Sequence, residues 1–115
     1  KASDDEPDKC LDLSGRWQNT PETKVTCAPK ELRFSRSDSN NYEVRGKGCG
    51  TPLTATAYHA EKSELITHWK MATCTGTTTY RLNEDCTQAH GEVDVDRHLL
   101  CRVKDSRESL QKLSD

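Results

Sequence analysis

The sequence predicts an all-β domain, a small antiparallel up-and-down β-barrel of seven or eight strands that is stapled by disulfide bonds. Apolar and polar residues alternate from Leu53 to Tyr58 and again from Leu65 to Met71, and a period of two is typical of half-buried strands. Six cysteines among 115 residues are a high and even number, which favours three disulfides and an oxidising, extracellular setting. Short strands with tight links favour a barrel or a sandwich, and a barrel leaves no exposed edge.

The predicted barrel domain spans residues 10–104, between a flexible N-terminal tail at 1–9 and a C-terminal segment at 105–115. Strands are predicted at 11–19, 30–36, 42–48, 53–58, 65–71 and 76–82. Residues 92–95 and 98–103 are either two further short strands or one bent strand. The segment 105–115 combines a Ser cap with Leu110 and Leu113 at helical spacing, so it is either a short helix or a loose tail.

The second and third strands form a predicted hairpin around the turn-forming residues 37–41. Folding the chain about Asp38 places Phe34 opposite Tyr42 and Leu32 opposite Val44. Every large apolar residue of the hairpin then lies on one face, which is the arrangement that a buried sheet face requires.

The cysteines sort between the two ends of an up-and-down barrel. Cys10 and Cys86 are the only two at one end, which predicts a bridge between them. Three others lie in connections at the opposite end and one belongs to the last strand; they are Cys27, Cys49, Cys74 and Cys101. For these four we predict Cys49–Cys74 and Cys27–Cys101, with Cys27–Cys49 across the hairpin as the main alternative. Zinc is disfavoured because no cysteines stand as closely as in C-x2-C.

The composition argues against several classes of function. A net charge of −2 gives no general attraction to nucleic acid, and no stretch is apolar enough to span a membrane. No constellation of residues points to catalysis, to a metal or to another cofactor, so we predict that the protein is not an enzyme. The four histidines, His59, His68, His90 and His98, are interpreted as surface residues. The polar start of the chain is that expected of a mature secreted protein.

Two motifs in the sequence resemble the avidin family of calycin-type β-barrels. Residues 10–19, Cys-Leu-Asp-Leu-Ser-Gly-Arg-Trp-Gln-Asn, are similar to the family's opening cysteine, Ser/Thr-Gly-Lys-Trp and asparagine. Residues 66–71, Ile-Thr-His-Trp-Lys-Met, are similar to its Val-Asn-Trp-Lys-Phe. The resemblance covers residues 10–82. Some family members have disulfides placed as Cys49–Cys74, and others have one placed as Cys10–Cys86.

The same resemblance implies that most of the family's biotin site is missing. Asn19 and Trp69 match that site, but the tyrosine expected on the third strand falls at Gly48. The expected hydroxyl groups fall near Ala72 and Gly76. A ureido group without its hydrogen-bond partners loses most of its affinity, so we expect that biotin does not bind.

The first predicted function is a secreted protein that binds an extracellular protein, as an inhibitor or an immune-modulating binder. The contacts are expected from the loops at the Cys27, Cys49 and Cys74 end, where disulfides lower the cost of ordering them. A charge-separated surface supports a protein partner. Its basic side comprises Arg33, Arg36, Arg45 and Lys47, and its acidic side comprises Glu92, Asp94 and Asp96.

The alternative function is a carrier of a small hydrophobic ligand, which Trp17, Asn19, Tyr42 and Trp69 would surround inside the barrel. We expect instead that side chains fill the barrel. An eight-stranded barrel is only wide enough for its own side chains or one small ligand. With 31% hydrophobic residues, the chain has few large side chains to build a wall around an empty space.

Overall fold

The computed structural model of the chain describes residues 12–61, 63–96, 101 and 103–113. Within them eight strands form: β1 (Gly15–Asn19), β2 (Glu31–Arg36), β3 (Asn41–Gly48), β4 (Thr51–Glu61), β5 (Glu64–Met71), β6 (Cys74–Leu82), β7 (Gln88–Val95) and β8 (Ser106–Lys112). Each strand pairs antiparallel with the next, and β8 pairs with β1, so the sheet closes into a barrel. The predicted fold class, an all-β antiparallel up-and-down barrel, is confirmed.

Alternate residues of the strands fill the interior of the barrel. The predicted inward face of the hairpin is confirmed, because Leu32, Phe34, Tyr42 and Val44 are all buried. The core also contains Leu13, Trp17, Ala55, Ala57, Leu65, Trp69, Cys74, Tyr80, Leu82, Cys86, Ala89, Val93 and Leu110. Among the described residues, no helix is present that is long and apolar enough to cross a membrane.

The register of the β2–β3 hairpin differs from the predicted one by two residues. Phe34 pairs with Val44 and Leu32 with Gly46, so the hairpin folds about Ser39 instead of Asp38. The turn explains the shift, because Asp38 Oδ1 accepts hydrogen bonds from the backbone N–H groups of residues 40 and 41 and from the Asn41 side chain. These bonds, the Asn41 side chain foremost, lower the pKa of Asp38. A shift of two leaves every side chain on its predicted face, since the strand period is two.

The predicted C-terminal helix or tail at 105–115 is wrong, because Ser106–Lys112 form β8. This strand pairs with both β1 and β7 and therefore satisfies the two edges that an open sheet would expose. The helical spacing of Leu110 and Leu113 is outweighed by this pairing. The barrel domain consequently extends to Lys112, beyond the predicted end at residue 104.

Of the predicted strand at 98–103, the described residues 101 and 103 do not adopt a strand. Residues 97–100 and 102 lie outside the described part of the chain, and residues 101, 103 and 104 are not in a strand. The predicted N-terminal tail at 1–9 also lies outside the described residues.

Two disulfides lie at one end of the barrel, and they join Cys27 to Cys49 and Cys74 to Cys101. The predicted placement of Cys27, Cys49 and Cys74 at one end is confirmed, and Cys101, which was assigned to the last strand, is bonded to Cys74 at that end. The preferred pairs Cys49–Cys74 and Cys27–Cys101 are wrong. Cys27–Cys49 is the alternative across the hairpin. Cys86 is also disulfide-bonded, and its predicted partner Cys10 lies outside the described residues.

Neighbouring strands explain the observed pairing. Cys27 and Cys49 flank β2 and β3, which are adjacent, and Cys74 begins β6 while Cys101 follows the adjacent β7. A Cys49–Cys74 bridge would have to cross the end of the barrel, because β4 and β5 separate β3 from β6. We call the end that carries these two bridges the disulfide end.

Candidate functional site

The barrel interior contains a cavity of about 40 Å³ between its middle and the disulfide end. Residues 25–29 of the β1–β2 connection line it at the disulfide end. Its wall is largely apolar and includes Val44, Leu53, Ala55, Met71, Val93 and Val103. Four polar side chains interrupt that wall: Thr67, Thr78, Tyr80 and Glu108. A mainly apolar cavity with a few convergent polar groups is the usual form of a small-molecule site.

A buried carboxyl group is the most unusual member of this wall. Glu108 of β8 is 8% exposed, and the Tyr80 hydroxyl of β6 donates a hydrogen bond of 2.7 Å to its Oε1. Burial raises the pKa of Glu108, and hydrogen bonds from Tyr80 and Asn19 partly oppose that shift. Burial, together with the negative charge of Glu108, raises the pKa of Tyr80 well above its usual value. None of the ion pairs within the described residues involves Glu108.

Two glycines make room for the aromatic rings beside the cavity. A Cβ atom on Gly91 would lie 2.7 Å from the Tyr80 ring, and one on Gly76 would overlap the Trp69 ring. Both glycines are buried on the inner face of the sheet. Their missing side chains therefore allow the Tyr80 and Trp69 rings to approach the backbone of the neighbouring strands, where the Tyr80 hydroxyl reaches Glu108.

A buried hydroxyl group in the cavity wall has no hydrogen-bond partner. Thr67 of β5 is 3% exposed. Among the described residues, its Oγ1 is the one buried side-chain polar atom that lacks a hydrogen-bond partner. Most buried polar groups in proteins are hydrogen-bonded, because an unsatisfied one costs about 1–3 kcal/mol. The hydroxyl is thus available to a ligand in the cavity.

The four residues predicted to surround a ligand separate into two groups. Trp17 and Tyr42 belong to a packed cluster with Phe34 at the end opposite the disulfide end, where Trp17 Nε1 donates to the Leu13 carbonyl at 2.9 Å. Neither lines the cavity. Trp69 lines it, and Asn19 of β1 lies close enough to the Glu108 carboxyl group to lower its pKa. Asn19 also donates to the Pro29 carbonyl at 2.6 Å, which holds the β1–β2 connection in place.

Sequence reasoning missed Glu108, Tyr80 and Thr67. Glu108 falls in the segment interpreted as a helix or tail, and Thr67 and Tyr80 fall in strands whose inward face was read for apolar residues alone. A usable signal was present in β8, where Glu108 and Leu110 occupy alternate positions of one face. A glutamate that shares one strand face with a core leucine marks a buried polar group.

The position expected for a biotin-binding tyrosine cannot accommodate any side chain. Gly48 is buried, and a Cβ atom there would overlap the Cys27 carbonyl of the β1–β2 connection. Ala72 lies exposed in the β5–β6 turn. The absence of biotin binding stays a prediction, and the close approach at Gly48 supports it.

Three arginines form a row across the outer face of adjacent strands. Arg16 of β1 pairs in register with Arg33 of β2, and Arg33 pairs with Arg45 of β3. Arg16 lies 3.7 Å from Glu31, and Arg45 lies 3.8 Å from Glu43. Among the described residues, no ion pair involves the exposed Arg33 at the centre of the row. We call these three residues the arginine row.

The predicted charge separation has a clear place in the barrel. Glu92 and Asp94 are exposed on β7, four strands from β3 and thus on the opposite side. Lys47 continues the basic side toward the disulfide end, on the same strand as Arg45. Arg36 does not join it, because its guanidinium donates to backbone carbonyls of residues 38 and 39 in the hairpin turn.

The described histidines do not converge on a site. His68 is exposed on β5, with its Nδ1 3.2 Å from Thr77 Oγ1. In the part of the chain that the structure describes, no three His, Cys, Asp or Glu side chains are grouped so as to hold a metal ion. His98 lies outside that part.

Comparison of the whole chain with models of protein families, with curated proteins and with solved structures finds no match. The resemblance to the avidin family therefore stays a prediction from the two motifs.

Proposed function

We propose that the protein is a secreted, non-catalytic binding barrel that recognises an acidic surface of an extracellular protein. The arginine row carries this proposal. Like charges placed directly opposite each other on paired strands are destabilising, and here two such pairs share Arg33. An acidic partner relieves this repulsion, so the unfavourable arrangement in the free protein becomes favourable in the complex.

The disulfide end supplies a rigid frame beside the arginine row. Its two bridges tie together connections that flank β2–β3 and β6–β7, and the basic side chain of Lys47 lies next to the Cys27–Cys49 bridge. Pre-organised loops lose little conformational entropy on binding, which favours affinity. The disulfides also support an extracellular setting, since such bonds persist where the environment is oxidising.

A carrier of a hydrophobic ligand is the less favoured function. Pockets for drug-sized ligands occupy about 300–1,000 Å³, whereas the internal cavity measures about 40 Å³. Two of the four side chains that would surround a ligand, Trp17 and Tyr42, are instead packed against Phe34. A lipid-like molecule would require the interior to open.

The experiment is affinity capture from the extracellular fluid of the protein's natural source. The wild type is compared with Arg33→Glu/Arg45→Glu, and with Lys70→Glu/Lys104→Glu as a control that reverses two exposed charges outside the arginine row, on β5 and just before β8. We expect the wild type and the control to capture the same proteins, with an acidic partner that elutes as salt rises. We expect the arginine-row variant to lose that partner while keeping the wild-type melting temperature.

The proposed function fails if the arginine-row variant captures the same proteins as the wild type. It also fails if the captured protein resists salt and is lost equally in both variants, because charge then has no role in recognition.

A further inference from the structure

We propose that the cavity inside the barrel is a binding site for a small primary alkylammonium ion, with Glu108 as its anionic partner. This inference goes beyond the recognition of a protein by the outer face. It rests on three observations on the wall of one cavity: a buried carboxyl group without a cation, a buried hydroxyl group without a hydrogen-bond partner, and two aromatic side chains beside them.

The carboxyl group of Glu108 determines the class of ligand, because a cation bound beside it would stabilise its ionised form. A buried carboxylate is normally paired with a cation or a metal, because removing it from water is costly. Here the Tyr80 hydroxyl donates a hydrogen bond to it, and no basic side chain among the described residues pairs with it. An anionic ligand would meet repulsion at this site. A cation would supply the missing charge.

The hydrogen-bonding groups favour a primary ammonium over other cations. An ammonium head donates three hydrogen bonds and accepts none. Both Glu108 and Thr67 Oγ1 can accept from it, and the latter has no partner in the protein. A quaternary ammonium has no N–H group and would leave the Thr67 hydroxyl unsatisfied.

Size and surroundings agree with this ligand. The cavity of about 40 Å³ exceeds the about 10–15 Å³ that a single water molecule needs. An ammonium head is about as large as a water molecule and therefore fits. Trp69 and Tyr80 line the same cavity, and aromatic faces attract cations. The alkyl chain would extend along the apolar wall toward Val25, Leu53 and Val103 at the disulfide end.

The test uses the full chain with n-butylammonium as the probe, and n-butanol and butyrate as neutral and anionic counterparts of similar size. Binding is followed by calorimetry and by backbone amide chemical shifts in two-dimensional NMR spectra. We expect n-butylammonium to bind with a Kd of about 1 mM or tighter, within the affinity available to a ligand of five heavy atoms. The largest shift changes should fall on β5, β6 and β8.

The matched variants are Glu108→Gln, which removes the charge but keeps the shape, and Glu92→Gln, which removes an exposed carboxylate from β7. We expect Glu108→Gln to weaken binding at least about tenfold, because the charge partner is lost, and Glu92→Gln to bind like the wild type. Thr67→Val should weaken binding by a smaller factor. Its fold is checked by its melting temperature.

The inference is overturned by any of three results. The first is equal binding of n-butanol and n-butylammonium, which would show a merely apolar cavity. The second is unchanged affinity in Glu108→Gln. The third is no shift of cavity residues at tens of millimolar n-butylammonium, which would mean that the cavity holds water alone.

Discussion

Replacing Trp69 by alanine tests whether side-chain packing inside the barrel stabilises the fold. The Trp69 ring is 8% exposed, lies over Gly76 and borders the internal cavity. Because every strand of the closed barrel is paired on both sides, the strands around the ring have little freedom to close over the space that it leaves. The variant should therefore be strongly destabilised.

The expected loss follows from the area that the ring removes from water. A buried aromatic side chain hides about 150–250 Å², which corresponds to about 4–6 kcal/mol at about 25 cal/mol per Å². The unfolded chain already hides part of this area, which lowers such values by about 10–40%. We expect Trp69→Ala to reduce the free energy of unfolding by about 3–5 kcal/mol, as other large aromatic truncations in cores do.

The assay is urea unfolding followed by circular dichroism, with Tyr58→Ala as the control. Tyr58 is an aromatic residue of the neighbouring strand β4 and is 48% exposed, so its loss should cost about 0.5 kcal/mol or less. A loss below about 1.5 kcal/mol for Trp69→Ala would refute the reasoning. It would show that the ring borders a space that the fold does not need to fill, as in a ligand carrier.

Three further predictions concern the disulfides, the buried carboxyl group and biotin. Peptide mapping of unreduced protein should find Cys27 linked to Cys49 and Cys74 linked to Cys101, and thiol titration in denaturant should find no free thiol; two or more free thiols would contradict the bridges. Because burial raises the pKa of Glu108 in the folded state, that state binds more protons than the unfolded chain between the unfolded pKa of about 4.3 and the folded pKa. The free energy of unfolding of the wild type should therefore fall, relative to that of Glu108→Gln, as the pH rises through this window. Urea melts of both proteins at several pH values measure this difference. If the free energies of unfolding of the two proteins change in parallel with pH, the carboxyl group is not buried. Biotin should show no binding at micromolar concentration by calorimetry, and a submicromolar Kd would mean that the chain does carry the family's site.

The faces of the strands could be predicted from the sequence because they depend on a local pattern. Phe34 and Val44 point into the barrel whichever partner each one meets, since side chains alternate with a period of two. The hairpin illustrates this, because its register differs by two residues from the predicted one and yet its buried face is the predicted face. Likewise, the direction of successive strands was enough to place Cys27, Cys49 and Cys74 at one end.

The closing strand, the disulfide partners and the cavity were decided by tertiary structure. Ser106–Lys112 became a strand because β1 and β7 each present it with an unpaired edge, and a local pattern does not contain that information. Cys27 meets Cys49 because they flank adjacent strands. The Tyr80–Glu108 pair joins residues 28 positions apart across β7. The sequence by itself thus determined the inward face of the β2–β3 hairpin and the end that Cys27, Cys49 and Cys74 share. Only closure of the barrel determined which residues meet, because contacts between distant residues depend on register and closure together.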